Sequence, residues 1–111
     1  MASQQKTVDY LIEQTAGAGT MTAKKMFGEF ALYCDSKVVA FVCDDQLFLK
    51  PTQAARDYLG TVTEGEAYPG SKPYFVIDGD HWDDAEWMAQ LIRVSAAELP
   101  MPKAKKPPKR G

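Results

Sequence analysis

The chain has 111 residues, 45% of them hydrophobic and 11% aromatic, with a net charge of −2; this fits one globular domain. No run approaches the ~18 apolar residues of a membrane span, and the N-terminal MASQQKTVDY lacks the apolar core of a secretory signal, so a soluble cytoplasmic protein with no membrane contact is expected. The charge is uneven: Lys103, Lys105, Lys106, Lys109 and Arg110 concentrate in residues 101–111, which hold no acid, leaving residues 1–100 with 8 basic against 15 acidic residues, a net −7.

In chain order, Val8, Leu11, Ile12 and Thr15 fall at helical spacing, so residues 4–16 read as an amphipathic helix ended by Gly17-Ala18-Gly19. Thr20–Phe27 reads as a short helical turn, with Gly28 leading into a sheet. Glu29–Cys34, Lys37–Cys43 and Gln46–Lys50 are rich in Phe, Val, Leu and Tyr and read as three strands. The polar pairs Asp35-Ser36 and Asp44-Asp45 have the length of hairpin turns. Two-residue turns would set Cys34 opposite Lys37, Tyr33 opposite Val38, Cys43 opposite Gln46 and Phe41 opposite Phe48.

After Pro51, Thr52 can cap a helix that runs to Leu59 and stops at Gly60. Thr61–Gly65 reads as irregular, Glu66–Tyr68 as a short strand, Pro69-Gly70 as a turn and Pro73–Asp78 as an apolar strand. The last helix spans residues 83–99, capped by Asp80, Asp83 or Asp84. Its buried stripe is Met88, Leu91, Ile92, Ser95 and Leu99, widened by Trp87 and Val94. Pro100 and Pro102 end it. The order α-βββ-α-ββ-α predicts a two-layer α+β domain over residues 1–100, an antiparallel sheet with helices packed on it. A basic, flexible Pro/Lys-rich tail follows over residues 101–111.

Alternation along the three strands sorts their side chains. One face holds Phe30, Leu32, Cys34, Val39, Phe41, Cys43 and Phe48. The other holds Ala31, Tyr33, Val38, Ala40, Val42, Leu47 and Leu49. Both are apolar, whereas a sheet with one wet face alternates apolar with polar. The second face therefore calls for a cover: a homodimer, or the first helix reaching around from its glycine hinge. In this register Cys34 and Cys43 lie roughly 20 Å apart, too far for a disulfide, which needs Cα atoms within about 7 Å. Two free, buried thiols are expected.

Candidate sites are few. His81 has no Cys, Ser or second His at a triad or metal spacing and reads as a surface residue at a helix start. Asp78, Asp80, Asp83, Asp84 and Glu86 lack the spacing of a calcium loop and suit helix capping. Gly17-Ala18-Gly19 superficially resembles a phosphate loop, but it follows a helix and lacks the Lys-Ser/Thr ending. Lys24-Lys25-Met26-Phe27-Gly28 is the most functional-looking segment of the body: either an apolar plug at the core's edge or a binding surface. The tail is expected to make at most weak, salt-sensitive, non-specific contact with nucleic acid. No catalytic, cofactor or metal residue is assigned. The expected interaction surface comprises Lys24, Lys25, Met26, Phe27, Tyr33, Val38, Val42 and Leu47.

Lys25-Met26-Phe27-Gly28, Leu32-Tyr33, Cys43-Asp44-Asp45, Leu47 and Lys50-Pro51 resemble, in order and spacing, the N-terminal domain of the TfoX/Sxy competence-regulator family. Tyr68-Pro69-Gly70, Lys72-Pro73-Tyr74-Phe75 and the Trp87–Leu99 helix extend the likeness over residues 5–99. The resemblance implies a two-layer α+β domain with no assigned catalytic residues. The chain stops where the full-length regulators' second domain would begin, so a stand-alone domain is expected. The leading functional reading is a non-enzymatic interaction or regulatory domain whose partner is a protein, including a second copy. The alternative is a small-molecule-binding protein or enzyme with a pocket between sheet and helices lined by Tyr33, Tyr74, Trp82 or Trp87.

Overall fold

The computed structural model describes residues 4–26, 29–67 and 69–99. Three helices, α1 (Gln5–Gln14), α2 (Gln53–Leu59) and α3 (Ala85–Glu98), pack on one side of a six-stranded sheet. The strands are β1 (Met21–Met26), β2 (Glu29–Cys34), β3 (Lys37–Cys43), β4 (Gln46–Leu49), β5 (Glu64–Glu66) and β6 (Pro73–Ile77). Their order across the sheet is β1-β2-β3-β4-β6-β5, and every pairing is antiparallel. The two-layer α+β reading holds. It gains one strand, because Met21–Met26, expected as a helical turn, pairs with β2 along its whole length.

Local chemistry explains most boundaries. The two hairpin turns put Asp35, Ser36, Asp44 and Asp45 all at positive φ, between 51° and 75°. This is the geometry whose twist matches the flanking strands, and Asp tolerates it because its short polar side chain bonds locally. The Asp35 carboxylate accepts from the Thr20 backbone N–H at 2.9 Å, and that of Asp45 accepts from Gln4 N–H at 2.9 Å. Each turn thereby anchors a neighbouring segment. The Thr52 hydroxyl accepts from Ala55 N–H at 3.0 Å and the Asp84 carboxylate from Trp87 N–H at 3.1 Å. These caps start α2 and α3, and each is worth about 1 kcal/mol. Gly60 ends α2 at φ 77°.

The register expected at the turns is present: Tyr33↔Val38, Cys34↔Lys37, Phe41↔Phe48 and Cys43↔Gln46. Between Tyr33 and Leu32 it shifts, so that Leu32 faces Ala40 and Phe30 faces Val42. Val39 is the extra residue of a β-bulge. Beyond it β3 presents opposite sides to those simple alternation assigns. Ala40, Val42, Leu47 and Leu49 consequently join Phe30, Leu32, Cys34, Phe75 and Ile77 beneath the helices. There they meet Val8, Leu11, Ala55, Met88, Leu91 and Ile92 in the main core. Eleven of these side chains have no exposure at all, and each large one contributes about 1.5–3 kcal/mol through burial.

Side chains lock the helix layer in place. The Lys37 ammonium donates to Ala96 C=O at 2.8 Å, near the negative end of the α3 dipole. Arg93 donates to Gly17 C=O at 2.6 Å, and the Glu98 carboxylate accepts from Ala54 N–H at the start of α2 at 2.8 Å. No helix among the described residues is long and apolar enough to cross a membrane.

Candidate functional site

The bulge decides what the outer side of the sheet carries. Opposite the helices lie Ala31, Tyr33, Val38, Phe41, Cys43, Phe48, Tyr74 and Val76. Phe48, Cys43 and Ala67 form a second small core, with Phe41, Tyr74 and Val76 packed against it. The Phe41 and Tyr74 rings lie 5.5 Å apart, tilted by 35°, a favourable aromatic geometry. The chain supplies part of the cover itself. A Cβ on Gly65 would lie 3.0 Å from Val76 Cγ2 and 3.7 Å from Phe48 Cε2, so glycine lets β5 approach this cluster closely. The cover is incomplete: Tyr33, Val38, Phe41, Tyr74 and Val76 all stay half-buried.

The expected interaction residues separate in three dimensions. Tyr33 and Val38 belong to the outer face. Val42 and Leu47 do not: both are fully buried under the helices, a correction whose cause is the extra residue at Val39. Helix α1 packs on the same side as α2 and α3 and does not reach around. Phe41, expected in the core with Phe48, is its cross-strand neighbour but half-buried on the outer side. Lys24 and Lys25 are exposed on β1 and point to opposite faces, since Lys24 pairs with Ala31 and Lys25 with Phe30. Of Met26 only the backbone is described, and Phe27, Tyr68 and the tail 101–111 lie outside the described residues.

Phe41, Cys43 and Phe48 are the outer-face residues that alternation along the three strands misplaces, since it groups them with Phe30 and Leu32. A bulge leaves no residue signature within the apolar run Val38-Val39-Ala40. The closest signal is the glycine in Glu64-Gly65-Glu66, which marks a close backbone approach.

The other candidates take structural roles. His81 stacks on Trp87, with ring centroids 4.1 Å apart and 16° between planes. Asp84 caps α3, and Asp83 accepts a short hydrogen bond from the Tyr10 hydroxyl. That bond holds the Tyr10 phenol above its ordinary pKa. Gly17 and Ala18 lie in a single 3-10 turn that ends α1. Cys34 and Cys43 are free and buried, as expected, on opposite sides of the sheet. Burial, then the Glu29 carboxylate, pushes the Cys43 thiol up to about 11; burial, then Asp35, raises Cys34. Thiols held neutral in this way are poor nucleophiles and poor ligands.

The aromatic set of the pocket reading is split. Tyr33 and Tyr74 lie on the outer face, while Trp82 and Trp87 pack against the core on the helix side. Trp82 donates its indole N–H to Ile77 C=O at 3.1 Å, and Tyr58 its hydroxyl to Trp87 C=O at 3.1 Å. Open grooves exist: one of about 480 Å³ between α1 and α3, another of about 480 Å³ beside Cys43 and Glu66, and one of about 350 Å³ beside Lys24 and Tyr33. The groove beside Cys43 also has the Glu29, Asp44 and Glu66 carboxylates in its lining, and burial together with Glu29 keeps that thiol neutral. Among the described residues no three His, Cys, Asp or Glu side chains group to hold a metal.

The sequence profile of the family described as "TfoX N-terminal domain" matches residues 13–99. A curated protein of Spirochaeta aurantia, described as an uncharacterized 12.7 kDa protein in the trpE 5′ region, is 41% identical over 106 residues. The match covers 96% of this chain and 91% of that relative.

Proposed function

Because the chain belongs to the TfoX N-terminal domain family, we propose that it is a non-enzymatic interaction and regulatory domain, binding a protein partner through the outer face of its sheet. The observation that carries this reading is the partly covered apolar face, with Tyr33, Val38, Phe41, Tyr74 and Val76 all half-buried around a second small core. A contiguous apolar patch of this kind marks an interaction site more often than an idle surface. The first partner to test is a second copy, since a two-fold axis lying parallel to this face would bring identical apolar surfaces together.

Light scattering at micromolar concentration tests the assembly. The expected result is a mass near twice the 12.3 kDa of the chain, returning to the monomer in a Val38→Glu, Val76→Glu double variant whose circular dichroism is unchanged. The reading fails if the wild type is monomeric and the double variant also captures the same proteins from a cell extract as wild type does.

A further inference from the structure

The sheet has two edges, and they are built differently. β5 is only three residues long, Glu64-Gly65-Glu66, a short and acidic strand that resists further pairing. β1 at the other edge pairs with β2 at all six positions, from Met21↔Cys34 to Met26↔Glu29, without a register shift. It contains no proline. No strand lies on its other side among the described residues, so alternate backbone N–H and C=O groups face outward. An edge of this length and regularity is a template for an added strand, and its two lysines guard it against all but an acidic one.

Its charge selects what can be added. Lys24 and Lys25 are the only charged residues of β1, both exposed, one on each face of the sheet. Neither forms a hydrogen bond or ion pair with another described residue, in a body that is otherwise acidic. Pairing with the same strand of a second copy would bring four lysines onto strands about 5 Å apart, an unfavourable arrangement. An acidic strand would instead place a carboxylate against each lysine. The open groove of about 350 Å³ lined by Thr22, Ala23, Lys24, Tyr33 and Ser36 adjoins this edge and offers room for one of its side chains.

We infer that the free edge of β1 docks an acidic, extended segment of a protein partner, which adds to the six-stranded sheet as a further strand and pairs its carboxylates with Lys24 and Lys25. This goes beyond the reading above, because it uses the edge of the sheet and not its outer face.

The probes are two fluorescein-labelled peptides, one repeating Val-Val-Glu-Glu and one repeating Val-Val-Lys-Lys, so that adjacent charges fall on both faces of an added strand, titrated with the full chain and followed by fluorescence anisotropy at low salt. The acidic peptide is expected to bind and the basic one not to. Its affinity should fall about tenfold or more in the Lys24→Glu, Lys25→Glu variant, whose fold circular dichroism verifies. It should fall as far when alternate backbone nitrogens of the acidic peptide are methylated, because the ladder hydrogen bonds are then lost without any change to the protein. Backbone amide shifts should concentrate in Met21–Met26. The Val38→Glu, Val76→Glu variant should keep its peptide affinity even if it no longer dimerises. Absence of binding by the acidic peptide, equal binding of the methylated peptide, or displacement by a single-stranded oligonucleotide at the same lysines would overturn the inference.

Discussion

Four residues at the hairpin turns adopt a backbone conformation that costs an L-residue roughly 1–2 kcal/mol, and they are not equivalent. The Asp35 carboxylate recovers part of that cost by accepting from Thr20 N–H at 2.9 Å, whereas Ser36, at φ 75°, shows no side-chain bond. Ser36→Gly should therefore raise stability by about 0.5–1 kcal/mol, while Asp35→Gly should give no gain, because it frees the Thr20 amide. Urea midpoints of the two variants check the contrast. Gly19 belongs to the same corner: a Cβ there would lie 2.8 Å from Asp35 Oδ2, which accounts for the glycine at that position. Ser95 is a different case. It is fully buried in α3, and its hydroxyl has no partner among the described residues. An unsatisfied buried hydroxyl costs about 1–3 kcal/mol, so Ser95→Ala is expected to be neutral or stabilising, in contrast with most buried substitutions. A drop in melting temperature on that change would show that the hydroxyl is satisfied.

At the scale of elements, the bulge at Val39 divides residues that look alike in sequence. Phe75 in β6 is 1% exposed in the main core, while Phe41 in β3 is half-buried on the outer face. Phe75→Ala should cost about 3–5 kcal/mol. Phe41→Ala should cost clearly less, because it leaves no closed cavity and removes contacts with Phe48 and Tyr74 on a partly exposed face. Equal losses in chemical denaturation would place Phe41 in the core and return β3 to simple alternation. β1 shows the opposite effect, an element made by its neighbour. Met21-Thr22-Ala23-Lys24-Lys25-Met26 has no apolar alternation and no strong strand propensity. It is extended because the edge of β2 offers it six consecutive partners, and the Asp35 turn fixes the start of that ladder.

For the molecule as a whole, alkaline pH should weaken the fold. Cys43 titrates near 11 when folded, against an ordinary value of 9.0, and Cys34, Tyr58 and Tyr10 all shift upward as well. In each case folding favours the neutral form. The stability this contributes is complete below the unfolded pKa and is lost as pH rises towards the folded one. The urea midpoint should hold steady up to pH 9 and fall between 9.0 and about 11, with a shallower fall in Cys43→Ala. The amino-acid sequence alone determines the class of this domain, its family, both hairpin turns, the cap at Thr52, an aspartate cap for α3 and the amphipathic stripe of α3. All of these rest on chemistry within a few residues, or on motif order along the chain. Tertiary structure alone decides that Val42 and Leu47 are core and Phe41 and Val76 are surface, that residues 21–26 are a strand, and that α1 stays with the other helices. The reason is physical: one extra residue in a ladder reverses every side chain beyond it, and an edge strand owes its conformation to the partner it pairs with. Neither effect is encoded where it acts.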